Sequence, residues 1–232
     1  MLKFIRRLLC CVIVLLLGFG GLVTLLGYRE YRALLKEKPL ASVVAETREK
    51  ESFTPLYELP KTYRDAVVAA EDHRFRLHFG IDPLGIARAL MVDLRDKELK
   101  EGGSTITQQL AKNYYFPTNR DLIKKIAEAF IAVRLEKDYT KDDILELYVN
   151  TIYFGDGYYC VRDAARGYFD KEPSRLNDYE CTMLAGIPNA PSVYAPTKNP
   201  ELAEERRKIV VKKMLNEGYL SEEEANILLQ AS

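Results

Sequence analysis

Leu8 to Tyr28 form an unbroken stretch without a charged side chain. Lipid offers no water to satisfy backbone N–H and C=O groups, so a stretch placed there must become a helix. At about 1.5 Å per residue it reaches roughly 30 Å, the thickness of a bilayer core. Lys3, Arg6 and Arg7 stand before it. Basic flanks stay on the cytoplasmic side, so the N-terminus is expected inside and the remainder outside. A cleaved secretory leader is the competing reading. Its apolar core is usually about 7–15 residues, with a small-x-small site after it. Here the run is longer and ends Leu25-Leu26-Gly27-Tyr28, which offers no such site. A retained single-pass anchor is therefore expected over 1–28.

The charge balance excludes one large class of function. The chain has 34 basic and 34 acidic residues, and removal of the three cations before the anchor leaves 31 against 34. An exported part that is slightly acidic lacks the net basic face that nucleic acid requires. Any polyanion must be met by a local cluster. Cys160 and Cys181 lie in a compartment that permits a disulfide, and the sequence allows either one bridge or two buried thiols. His73 and His78 are the only histidines, and no Cys/His spacing suggests zinc.

Residues 29–55 are mixed and charged, with Pro39 and Pro55 as punctuation, and read as a stalk with one short helix. From Pro60 onward helical periodicity dominates. Asp82-Pro83 reads as a cap with proline at the first helical position, opening a helix to about Lys97. Asn119 is expected to cap a long helix with Leu122, Ile123, Ile126, Phe130, Ile131 and Val133 on its apolar side. Thr140 with Asp143, Asn199-Pro200, and Ser221 with Glu224 mark further starts. Strand-like alternation is scarce. The expected fold class is mainly α, one domain over 56–232 behind the anchor and stalk.

The densest chemistry lies in Gly102-Gly103-Ser104-Thr105-Ile106-Thr107-Gln108-Gln109-Leu110-Ala111-Lys112-Asn113. Paired glycines let backbone N–H groups approach a ligand. Ser104 or Thr105 can cap the helix that follows, and its N-terminus attracts anions. An ordinary capped helix is the plain alternative. Upstream stands Glu71-Asp72-His73-Arg74-Phe75-Arg76-Leu77-His78-Phe79-Gly80. The pattern Glu-Asp-x-x-Phe-x-x-His-x-Gly followed by Gly-Gly-Ser-Thr-Ile-Thr-Gln-Gln-x-x-Lys-Asn resembles the peptidoglycan glycosyltransferases. That family also occurs as the first domain of bifunctional penicillin-binding proteins. The resemblance runs from about Leu56 to Pro196, with several separated motifs in the right order.

The resemblance implies a lysozyme-like helical fold with a small membrane-proximal lobe. It also implies polymerisation of lipid II, an undecaprenyl-diphosphate-linked disaccharide-pentapeptide, onto a growing lipid-linked glycan strand. Such a transfer needs a carboxylate to take the acceptor's proton and cations to neutralise the departing diphosphate. Glu71 follows the apolar run Ala66-Val67-Val68-Ala69-Ala70 and is the expected general base. A solvated Glu-Asp pair at a helix end is the alternative. Glu128 matches the family's second carboxylate; Lys112, Arg120 and Arg88 match its cations. Arg120, Lys124 and Glu128 fall on one helical face, which alone reads as a solvated salt-bridge stripe. Ser104, Gln108 and Gln109 are expected to contact sugar hydroxyls or phosphate, or else to brace the loop. Asp72 is read as an orienting residue, and His78, Glu136, Tyr148 and Asn150 as fold support. Glu128 is the one candidate for Mg²⁺ or Mn²⁺, and no metal or other cofactor is obligatory.

Expected company is lipid II, the membrane and division or elongation proteins, in the bacterial inner membrane. No Ser-x-x-Lys occurs in the exported part, so a monofunctional enzyme without transpeptidase activity is expected. Two other readings compete. A lytic enzyme of lysozyme-like fold would use one glutamate but no phosphate clamp, and a non-catalytic membrane-anchored scaffold would use neither.

Overall fold

The computed structural model describes residues 2–96, 103–117 and 121–231, and every regular element among them is helical. In chain order these are α1 (Leu2–Glu37), α2 (Leu40–Arg48), α3 (Lys61–Glu71), α4 (Pro83–Asp96), α5 (Ile106–Tyr115) and α6 (Leu122–Asp138). They continue with α7 (Lys141–Val149), α8 (Val161–Phe169), α9 (Asp178–Gly186), α10 (Pro191–Tyr194), α11 (Pro200–Asn216) and α12 (Glu222–Gln230). The mainly α class expected from the sequence is what forms.

Among the described residues, α1 is the one helix long and apolar enough to cross a membrane. Its C-terminal part is no loose stalk. Tyr31, Leu34 and Leu35 pack against the main core, and α2 buries Leu40, Val43, Val44 and Thr47. Most of the segment expected as a stalk over 29–55 is therefore built into the domain. An i, i+3, i+4 apolar stripe lies inside it, hidden in the sequence by charged neighbours on the other faces.

α1 packs along α6. The Tyr28 and Tyr31 rings stand 5.3 and 5.8 Å from the Phe130 ring. Gly27 allows a close approach, since a Cβ there would stand 2.5 Å from Ile126 Cγ2. α6 thus serves two neighbours. Ile126 and Phe130 meet α1, while Ala127, Ile131, Ala132 and Leu135 are buried in the core. Leu122 and Val133, expected on the apolar side, are exposed. The cap of α6 is Asp121, whose side chain accepts from the Lys124 N–H. Asn119, expected in that role, lies outside the described residues, as does Lys97.

The core is built around α3. Ala66 to Ala70 are all buried, and α9 and α11 pack against this helix. The second half of this helix, apolar on every side, has to be enclosed on every side. Leu110 of α5 and Ile144 of α7 are fully buried in the same core. Each such side chain stabilises the fold by about 1.5–3 kcal/mol. Capping boxes open α7 at Thr140, α9 at Asn177 and α12 at Ser221. Arg207 of α11 is wholly buried yet fully engaged. It chelates Glu204, donates to Leu228 O at 2.7 Å, and lies 4.3 Å over the Tyr179 ring. It ties α12 and α9 to α11. Cys160 and Cys181 are buried free thiols, and burial pushes Cys181 up to about 12.

Gly80 locks the loop after α3 against α6. Its φ is +89°, and a Cβ there would stand 2.7 Å from the Ala132 carbonyl carbon. Gly80→Ala is expected to lower stability by about 2–4 kcal/mol, from backbone strain and overpacking together. Denaturant titration of the two proteins measures it.

Candidate active site

α3 ends at Glu71 because Asp72 leaves the helix, with φ −160° and ψ 73°. The buried Asp72 carboxylate then makes two contacts through Oδ2. It accepts from the Ile106 N–H at 3.0 Å and from His78 Nε2 at 2.9 Å. His78 Nδ1 accepts from the Gly80 N–H at 3.2 Å, which assigns the ring proton to Nε2. Gly80 O in turn accepts from Thr105 Oγ1 at 2.7 Å. Thr105, rather than Ser104, is the N-cap of α5, in a capping box with Gln108. Four residues therefore pin the start of α5 to the end of α3.

That junction brings Glu71 and Gln109 together. Gln109 Nε2 donates to Glu71 Oε2 at 2.8 Å, and Tyr148 Oη donates to Gln109 Oε1 at 3.2 Å. Burial, with Glu71 and Tyr63 nearby, pushes the Tyr148 phenol well above its ordinary value, so it remains a donor. The phenol fixes which way the amide faces. Among the described residues, Glu71 Oε1 is buried and has no hydrogen-bond partner.

Glu71 lines a cavity of about 990 Å³. Small-ligand sites usually span roughly 300–1,000 Å³, so this one suits a large head group. Arg88, Ser104, Gln109 and Lys112 line it too. Arg88 Nη1 stands 2.8 Å from His73 Nε2, a residue of the same lining that the sequence reading left without a role. Ser104 Oγ accepts from Lys125 Nζ at 2.9 Å, and the same ammonium pairs very closely with the buried Glu128. Lys125, not Lys124, is the partner of Glu128, because Lys124 Nζ sits 3.9 Å from Asp121 beside the cap. An i, i+3 pair explains this as well as the i, i+4 stripe read from the sequence.

The expected site residues thus divide. Glu71, Arg88, Ser104, Gln109 and Lys112 share one cavity, and Glu128 is joined to it through Lys125 and Ser104. Gln108 is not among the lining residues. It is buried, and its Oε1 accepts from the Thr105 N–H, so its side chain serves the cap. Arg120 lies outside the described residues. Among the described residues no three His, Cys, Asp or Glu side chains stand together as metal ligands, and Glu128 is engaged by Lys125. Arg206 and Lys213 of α11 also line the cavity and were not expected there, because no local motif marks them. Glu136 accepts from Thr107 Oγ1 and Lys141, and Asn150 exchanges hydrogen bonds with Thr54.

A carboxylate and cations around one cavity, in a helical domain behind an apolar helix, suit removal of a proton beside an anionic leaving group. Residues 36–215 match the family described as Transglycosylase. A Cupriavidus necator protein that carries a transglycosylase name is 40% identical over 218 residues, covering 94% of this chain and 90% of that protein. Penicillin-binding protein 1F of Bacillus subtilis is 44% identical, over 80% of this chain and 26% of the relative. Penicillin-binding protein 1A of Escherichia coli is 39% identical, over 96% of this chain and 28% of the relative. The chain belongs to the transglycosylase family. It spans about a quarter of the length of those two penicillin-binding proteins.

Two outcomes follow from this geometry. Tyr148→Phe leaves the Gln109 amide oxygen without its donor and is expected to cost about 1–2 kcal/mol, read by thermal melting. Asp82, before α4, supplies a pH dependence. Burial raises its carboxyl, but the Gly85 N–H and Arg74 outweigh this and hold it below the usual value. A depressed acid stabilises the fold above its unfolded pKa of about 3.9 and loses that effect as pH falls through the folded value. Asp82→Asn is therefore expected to lower stability at pH 7 and to flatten its decline below about pH 4. Urea titrations across that range check it.

Proposed function

We propose that the chain polymerises lipid II into glycan strands of peptidoglycan, releasing undecaprenyl diphosphate. The observation that carries the reading is Glu71. One of its oxygens is held by Gln109 and the other is buried with no partner among the described residues, in a cavity shared with Lys112 and Arg88. Glu71 takes the proton of the acceptor hydroxyl as that oxygen attacks the anomeric carbon of the donor sugar. The bond to the diphosphate breaks, and its charge is met by Lys112 and Arg88, joined by Arg120 as the family resemblance implies. A single displacement from one face inverts the anomeric centre. Glu128 holds Lys125, and Lys125 holds Ser104 at the cavity wall.

α1 anchors the enzyme once in the inner membrane, with its N-terminus in the cytoplasm and the cavity outside. Confinement to the surface that carries the lipid substrate raises the effective concentration of both. Division and elongation proteins are proposed partners. A lytic activity is disfavoured, because hydrolysis of a neutral glycosidic bond has no use for cations around the glutamate.

Purified lipid II supplied to the detergent-solubilised protein tests the reading. Glycan polymer is expected from the wild type and none from Glu71→Gln, with folding retained by circular dichroism. Lys112→Ala is expected to lose about 2–4 kcal/mol of transition-state stabilisation, read from kcat/KM. Fragments released from preformed glycan, without growth from lipid II, would reverse the assignment.

A further inference from the structure

The cavity has a wall that none of the sequence motifs supplies. Arg206, Ile209 and Lys213 of α11, with its C-cap Glu217, all line it. This wall is firmly seated, since Val210, Val211 and Met214 on the same helix are buried. Arg206 is already committed: its Nε donates to Gly186 O at 3.3 Å, and its guanidinium lies 5.7 Å from the Tyr194 ring centre. Lys213 does something different. Its Nζ donates to Ala70 O at 2.8 Å, across 143 residues of chain.

Ala70 directly precedes Glu71, in the last turn of α3. Carbonyls in the last turn of a helix have no partner within it. An ammonium is the favoured partner there, because it also meets the negative end of the helix dipole. The Ala70 carbonyl and the Glu71 N–H belong to the same peptide plane. A donor that fixes this carbonyl therefore fixes the plane from which the Glu71 side chain departs. Gln109 grips the far end of that side chain, at its carboxylate, and Lys213 grips the near end, at its backbone.

We propose that Lys213 is a positioning residue for Glu71, acting from α11 through the α3 backbone. The inference rests on Glu71 being the general base. The full-length, detergent-solubilised protein is compared with Lys213→Met and Lys213→Arg, using lipid II polymerisation and hydrogen exchange of the α3 amides. Misplacement of a reacting group costs on the order of 10–100-fold. Lys213→Met is expected to lose about that much kcat, with KM within about twofold. Lys213→Arg, which keeps a donor, is expected to recover most of the loss. Amides in the last turn of α3 should exchange faster in Lys213→Met than in either other protein.

A raised KM at unchanged kcat would make Lys213 a substrate clamp and overturn the inference. So would equal exchange in all three proteins. Should Lys213→Met fail to fold, Lys213→Gln carries the same comparison. A wild-type protein that makes no polymer would overturn the functional reading alone. The exchange measurement would still decide whether Lys213 orders the end of α3.

Discussion

Asp72 is the interaction on which the site depends. Its buried carboxylate ends α3, takes the first N–H of α5 and accepts from His78. A carboxylate removed from water is costly unless it is hydrogen-bonded, and here it has donors from two directions. The consequence is geometric. Glu71 and Gln109 sit on different helices, and they meet because the residue after Glu71 holds the helix that carries Gln109. The loop between them adds a second tie, through Gly80 and Thr105.

Two kinds of order surround the cavity. On one side the polar groups are committed to each other: Tyr148 to Gln109, Gln109 to Glu71, Lys125 to Ser104 and Glu128. Preorganised donors of this kind need no rearrangement when charge develops, which is where electrostatic catalysis gains most. The same cavity is also lined by cations, Arg88 and Lys112 from the motif half and Arg206 and Lys213 from α11. The carboxylates of Glu71, Asp72, Asp82 and Glu217 line the same cavity, so the cations offer local contacts rather than a net positive charge.

Much of this was legible in the sequence, for physical reasons. Capping boxes at Thr140 and Ser221 are local chemistry, as is the proline start of α11. What escaped the reading was set by tertiary contact. Gln108 and Gln109 are neighbours of the same type, yet one is spent on a cap and the other faces the carboxylate. Only their angular positions on α5 separate them. Lys125 and Lys124 present the same ambiguity on α6. Lys213 carries no local signature at all, because its partner is a backbone carbonyl far away in the chain.

The seat of α1 on α6 bears on how this protein is handled. Burial along α1 begins before the charged part of the helix, with Val23 and Leu26 half-covered and Gly27 buried. The bilayer segment and the docking segment therefore overlap, and no slack tether separates anchor from catalytic body. A truncation designed from hydropathy alone, cut after Tyr28, would uncover Ile126, strip Phe130 of one of its two ring neighbours and leave an adhesive stripe on the fragment. Cutting ahead of Val23 keeps that stripe covered, so the useful soluble boundary lies inside the apolar run rather than at its end.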